Sequence, residues 1–360
     1  MFIYILTLIF CLILLSLPLE IRTKSQSTKL IYPLSYFSYI LLILFAGFRY
    51  GIGTDYFNYQ GIFFNINADN VYNLNLELGF RFLMRLFPQT DNGFYSFIFF
   101  ISVLNNVLLF KVLQERLKNS TLNERILIVT FFFITNIYFF PFNGIRQGIA
   151  CAFVLLSYKY IINRSLWKFL ICIFLGFLFH KSIIVFIPLY FFYKLNLDKK
   201  INLAIIIASL IIVKFGLFKE FVFLLNYVGE DKYNRYLYKP LDFGGSGLGV
   251  YLYLMLFLFI FISSYTNKSI NLKKTEFNFL FFIFSVGIAL RILSLENIIF
   301  VRLAYYFTYF DFIFISYFIL SFTNKNKTLI SFLFISIYLV TFIAALQNSN
   351  GLIPYNNILL

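Results

Sequence analysis

A guanidinium can clasp a phosphate through parallel hydrogen bonds, and a carboxylate or imidazole can take the proton of a sugar hydroxyl. The chain sets these groups in a few short stretches. Arg49 and Asp55 share Phe48-Arg49-Tyr50-Gly51-Ile52-Gly53-Thr54-Asp55-Tyr56-Phe57-Asn58-Tyr59, and Glu77 follows in the same polar segment. Arg146 lies in Phe142-Asn143-Gly144-Ile145-Arg146-Gln147-Gly148, where Pro141 ends one apolar run and Asn143-Gly144 signals a turn. A basic residue in the first helical turn opposes the helix dipole, so helix stability does not explain it. Its charge and the free amides of the helix start would together favour an anion. His180, the only histidine, stands with Lys181 and Ser182 inside an apolar run, where polar groups are expensive. Arg291 and Arg302 bracket Glu296 near a further pair of helix ends.

Each residue also has a plainer reading. Arg49 at a helix edge can be a snorkelling anchor. Asp55 and Glu77 can be solvated loop acids. A lone histidine can simply be packed or capping, and Arg291, Glu296 and Arg302 can form a rim ion pair of little energetic worth. Tyr50, Tyr56 and Tyr59 suit stacking on sugar rings, and equally an interfacial aromatic belt.

The elements that must position these groups are apolar helices. Of 360 residues, 61% are hydrophobic and 12% charged, with mean hydropathy +0.84; a soluble domain carries about 25% charged residues. Runs near the ~20 residues that span a bilayer core recur at 1–19, 31–48, 94–114, 125–141, 144–163, 166–180, 181–194, 201–218, 248–265, 275–295, 299–321 and 328–346. The first has neither a basic leader nor a small-residue cleavage site and reads as a retained helix. The expected fold is an all-α polytopic membrane protein, a single domain over 1–360. It has about twelve segments (eleven to thirteen), a large outer loop at 49–93 and a second at 219–247. Cys11, Cys151 and Cys172 all fall inside apolar runs and show no disulfide or metal spacing.

The net charge of +15 does not point to nucleic acid, because the basic residues are spread over short loops with no basic face. It reports orientation instead. Loops 20–30, 111–125, 159–168, 194–200, 266–276 and 322–327 hold 18 Lys/Arg against 5 acids, and the other side holds 12 against 9. The first set is therefore expected on the cytoplasmic side, with both termini, loop 49–93 and loop 219–247 outside. The 29-residue run 166–194 is expected as two short segments meeting outside at His180, since one long helix would bury His180-Lys181-Ser182 at mid-membrane. The glycine-rich stretch 244–249 lacks the lysine of a phosphate-binding loop.

Four motifs, Arg49-Tyr-Gly-Ile-Gly-Thr-Asp-Tyr-Phe-Asn-Tyr59, Glu77-Leu-Gly-Phe80, Ile145-Arg-Gln-Gly-Ile-Ala150 and Phe179-His-Lys-Ser182, resemble in order and spacing the EpsG family. These are bacterial multi-span proteins of exopolysaccharide assembly, similar to the Wzy O-antigen and capsule polymerases. The resemblance covers residues 45–195; the second half matches only in being helical with arginines near outer helix ends.

The resemblance implies a glycosyltransferase in the plasma membrane (the inner membrane of a Gram-negative cell). It would move a glycan from undecaprenyl pyrophosphate to a lipid-linked repeat unit on the outer face. Arg49 and Arg146 would bind the pyrophosphate, with Arg291 or Arg302 assisting. Asp55, His180 or Glu77, in that order, would deprotonate the acceptor. No cofactor and no metal is expected. The partners are the lipid-linked oligosaccharide, with a chain-length regulator and a flippase in the same membrane, and no nucleic acid. Two rival readings remain. A transporter or flippase of lipid-linked sugars would need charges along a path through the membrane, where Asp311 is the clear case. An O-antigen ligase-like transferase would use the same donor with another acceptor.

Overall fold

The computed structural model describes residues 2–16, 19–22, 28–31, 33–67, 76–118, 120–195, 197–217, 247–267, 274–297, 299–347 and 351–358. The expected outer loop 219–247 lies almost wholly outside them. The chain divides into two compact units, Met1–Ile187 with Ser331–Leu360, and Pro188–Ile330.

The first unit begins with α1 (Phe2–Ser16), a two-stranded antiparallel ribbon β1 (Leu19–Arg22) and β2 (Thr28–Ile31), and α2 (Pro33–Gly47). Then come α3 (Tyr56–Phe64), α4 (Leu78–Arg85), α5 (Asp91–Leu117) and α6 (Leu122–Ile134). A short 3-10 turn (Phe140–Phe142), α7 (Ile145–Ile162), α8 (Leu166–Phe177) and a 3-10 segment (Lys181–Phe186) complete this part. α2 packs on α5, α5 on α7, α7 on α8 and α1 on α6. The boundaries follow local chemistry. Thr90 caps α5 by accepting from the Gly93 amide at 3.2 Å, and Asp91 in the first turn and Arg116 in the last both suit the dipole. α6 opens on a reciprocal capping box between Thr121 and Glu124.

The second unit holds α9 (Leu189–Leu195), α10 (Lys199–Phe215), α11 (Leu248–Thr266), α12 (Lys274–Leu293), α13 (Ile299–Thr308) and α14 (Asp311–Leu320). α12 is its centre, packed by α10, α11, α13 and α14. α15 (Asn324–Gln347) starts in this unit and continues into the first.

Five described helices have the length and apolar character of a membrane crossing: α5, α7, α11, α12 and α15. A sixth crossing results if α13 and α14 count as one, although they bend by 48° at Tyr309–Phe310 where the sequence suggests a single span over 299–321. α1, α2 and α8 are apolar but shorter. Run 166–194 does break at His180, as expected, but 181–194 is not one helix. The 3-10 segment ends before Pro188, which lacks an amide donor, and α9 then begins in the other unit. Asp311 opens α14 just past the bend and is buried there, where a helix start favours a negative charge.

The polar stretch 49–93 is more than a loop. α3 and α4 fold back, and Tyr56, Tyr59, Phe63, Phe80 and Met84 join Phe94, Phe97, Ile145 and Ile149 in one buried core. The apolar positions are dispersed among polar ones at helical spacing, so the stretch reads as polar on average while carrying a face that packs.

Candidate functional site

α4, the start of α7 and the turn after α8 bring Glu77, Arg146 and His180 together. Glu77 precedes α4 in extended backbone. The amides of Gly79 and Phe80 donate to the Leu178 carbonyl at 2.9 and 3.3 Å, pinning α4 to the turn that carries His180. Only glycine fits at position 79, because an added Cβ would lie 2.8 Å from both the Leu178 Cβ and its carbonyl oxygen. His180 is placed by its own amide, which donates to Gly176 O at 2.9 Å, and by extended backbone that opens the 3-10 segment.

The three side chains form one ion cluster. Arg146 Nη1 donates to Glu77 Oε2 at 2.5 Å, and His180 Nδ1 lies 3.1 Å from Glu77 Oε1. The Lys181 amide adds a 3.4 Å contact to the same oxygen. Arg146 Nε also reaches the Tyr59 hydroxyl at 3.5 Å, with the guanidinium 5.9 Å from the Tyr59 and Phe80 ring centroids. Burial alone would raise the Glu77 carboxyl, but the His180 hydrogen bond and the Arg146 charge outweigh it and hold it at about 2. Glu77 is thus a fixed anion. Its side chain is 7% exposed, against 26% for Arg146 and 22% for His180, so the acid sits behind and its two partners stand in front. Beside an ionised Glu77, Nδ1 is the ring nitrogen of His180 that carries a proton toward the carboxylate, which leaves Nε2 as the nitrogen not used by the cluster.

The Asp55 stretch is built against the same part of the fold. Gly53 has φ +98°, and an added Cβ would lie 2.5 Å from the Phe142 carbonyl oxygen. The Thr54 amide and hydroxyl donate to Asn143 Oδ1 at 2.5 and 3.1 Å. Residues 351–358 close over this stretch from the other side. Gly53 N donates to Gly351 O, Tyr50 N to Asn356 O and Ile358 N to Phe48 O, each at 2.9 Å. Tyr355 stacks on Phe45 with centroids 4.2 Å apart and donates to its carbonyl at 2.7 Å, and the Tyr4 hydroxyl donates to Leu352 O. Asp55 itself is half-buried, and its carboxylate has no hydrogen-bond or ion-pair partner among the described residues.

A family model, the EpsG family, matches residues 32–357. The chain belongs to the EpsG family. The match takes in every element of the cluster, the Asp55 stretch and most of the 351–358 segment that the four motifs did not include. No curated protein and no solved structure matches the chain. EpsG membership and the apolar helices together make this a membrane protein of the polysaccharide-polymerase type.

In this EpsG protein the remaining sequence candidates divide. Arg49 is not at an open edge. It is 2% exposed, with Nη1 donating to Ala46 O at 2.5 Å and Ser102 Oγ at 3.1 Å, and its guanidinium lies 4.8 Å from the Phe142 ring centroid. Tyr56 and Tyr59 are buried, which leaves Tyr50 as the exposed ring of the three expected to stack. Arg291 and Arg302 belong to the second unit, Arg291 with its guanidinium 4.4 Å from the Tyr253 ring centroid and Arg302 exposed on α13. Among the described residues no three His, Cys, Asp or Glu side chains gather as metal ligands would. What the sequence missed is the pairing: the anion that Arg146 meets is Glu77, 69 positions earlier. The unfavourable dipole at Arg146 was the one signal that such an anion was needed.

Proposed function

We propose that this protein polymerises a surface polysaccharide, an O-antigen, capsule or exopolysaccharide, at the outer face of the plasma membrane. The observation that carries the reading is the Glu77 cluster, in which two partly exposed donors converge on one buried carboxylate. Arg146 and His180 present charge-assisted hydrogen bonds to the same small volume, which suits the pyrophosphate of an undecaprenyl-linked donor. The acceptor hydroxyl oxygen forms a bond to the anomeric carbon, and the bond from that carbon to the pyrophosphate oxygen breaks. Undecaprenyl pyrophosphate leaves with the electron pair, its growing charge met by Arg146 and His180. The hydroxyl proton goes to Asp55, the acid left unpaired. Glu77 is a poor base because its proton affinity is so low; it holds Arg146 and orients His180. Arg49 acts as a positioning residue beneath the Asp55 stretch.

Two further features support a lipid-linked substrate at the outer face. α4 follows Glu77, and Leu78, Phe82 and, just past its end, Leu86 are exposed at helical spacing, an apolar wall for a polyprenyl chain beside the charged cluster. The start of α1, the ends of α2 and α8, the turn before α7 and segment 351–358 gather at the cluster's end of the first unit, which supports placing these helix ends on one side of the membrane. The opposite helix ends carry Lys111, Arg116, Lys118, Arg125, Lys159 and Lys168, the basic character of a cytoplasmic side. A chain-length regulator and a flippase are the proposed membrane partners.

The test is gel profiling of surface polysaccharide in a strain lacking the gene and complemented with variants. Arg146→Ala and His180→Ala, made at normal protein level, should leave single repeat units on the lipid. Long polymer in both variants would sink the assignment. Repeat units stranded on the cytoplasmic leaflet would favour a flippase, and finished polymer left unattached a ligase.

A further inference from the structure

At the far end of the first unit from the Glu77 cluster, α2, α5 and α6 border a cavity of about 420 Å³. Its place follows from chain direction. α5 begins at Asp91, where Gln60 of α3 reaches Asp91 Oδ1 at 3.4 Å. It then runs for 27 residues, ~40 Å at 1.5 Å per residue. Lys111, Gln114, Glu115 and Lys118 fall three and four positions apart on its last turns, share one face and line the cavity.

The lining is electropositive. Glu115, the acid on this wall, is engaged by Lys159 Nζ at 2.7 Å, so its charge is met from outside the cavity. Arg125 is fully buried at the wall, with Nε donating to Ser120 O and Nη2 to Leu117 O, each at 2.9 Å, across the C-terminal carbonyls of α5. Tyr39 also lines the cavity. It is 7% exposed, stacked on Phe110 at 4.4 Å between centroids, and its hydroxyl has no hydrogen-bond partner among the described residues. A buried hydroxyl in that state is costly, and a bound acceptor would remove the cost. A concave site with excess positive charge and an unused buried donor has the make-up of an anion site.

We propose that this cavity binds a phosphate-bearing anion. Lys111 and Lys118 supply charge at the mouth, Arg125 supplies it from the wall, and Tyr39 and Gln114 supply hydrogen bonds. The same chemistry has two sources: the headgroup of an anionic phospholipid in the adjoining leaflet, or a soluble phosphate compound. The site is separate from the proposed reaction and stands or falls without it.

The experiment uses the purified full-length protein, delipidated in neutral detergent, with thermal unfolding followed during titration. Phosphatidylglycerol is compared with phosphatidylcholine at equal mole fraction, and millimolar inorganic phosphate with chloride at equal ionic strength. A higher midpoint with phosphatidylglycerol identifies the lipid source, and one with phosphate the soluble source. In either arm the Lys111→Gln/Lys118→Gln double variant should need at least ~10-fold more ligand for the half-maximal shift, the loss expected for two charge contacts. Tyr39→Phe, which keeps the ring stack, should need several-fold more. The two lysines are exposed and Tyr39→Phe is nearly isosteric, so at least one comparison survives a folding defect. No shift in either arm, or unchanged half-maximal concentrations in both variants, overturns the proposal.

Discussion

Two arginines flank the turn that joins α6 to α7, and the fold treats them in opposite ways. Arg49 lies under the Phe142 ring, bonded to a carbonyl and a serine, beside a void of about 10 Å³ lined by Asn105 and Asn106. That void is at the lower limit for a single water. Arg146, four residues beyond Phe142, is a quarter exposed and holds a carboxylate that it shares with His180. Both carry the same fork of donors. What separates them is where the unused part of the fork points: into packed protein for Arg49, toward open space for Arg146. A guanidinium enclosed on every side builds structure, and the one backed by a fixed anion with part of its surface open is the one proposed to take a second anion.

The largest effect that would test this contrast is on Arg146. Arg146→Ala should lower polymer formation by about 10²–10³, the size seen when one preorganised donor to a developing charge is removed, far more than the loss of folded protein that follows from breaking its ion pair with Glu77. Arg49→Met should do the reverse, destabilising by about 1–3 kcal/mol through the orphaned Ala46 carbonyl and the lost bond to Ser102. Polymer should then fall only in proportion to the folded protein recovered from membranes. Exchange of these two outcomes would break the comparison.

A pH series sharpens it. The Glu77 carboxyl is held below its ordinary value, so its ion cluster contributes stability that is complete above about pH 4.5 and is lost as pH falls toward 2. Wild type should therefore lose thermal stability more steeply across that window than Glu77→Gln, and equal slopes would mean that the carboxylate carries no native-state interaction. The smallest expected effect belongs to the segment that locks the Asp55 stretch. Tyr355→Phe removes one hydrogen bond to Phe45 and keeps the stack, for a loss of about 1 kcal/mol in unfolding free energy.

Much of this was legible in advance, and what escaped did so for identifiable reasons. Apolar runs announced most helices, and His180-Lys181-Ser182 inside an apolar run announced the break after α8. The residue types at Arg146, His180 and Glu77 marked the cluster, because charge at a helix start or within an apolar run demands a partner. Their pairing was hidden, since it depends on Gly79 seating α4 against Leu178, a contact across 99 positions with no local signature. Arg49 misled for a similar reason. From sequence an arginine at a helix edge looks open, and only the packing of Phe142 and α5 shows it covered. The bend between α13 and α14 had one sign in the sequence, Asp311, a charge inside an apolar run that opens α14 just past the bend.

Segment 351–358 has a consequence for how the protein is made. Gly53 and Tyr50 leave the ribosome nearly 300 residues before Gly351 and Asn356, the groups that accept their amide hydrogen bonds. During synthesis the Asp55 stretch must wait, half-assembled, while every intervening helix is inserted. A chain that stalls or is cut short in the second unit would therefore lack this fastening of its Asp55 stretch. The stretch would reach its final form late, only once residues 351–358 have been made.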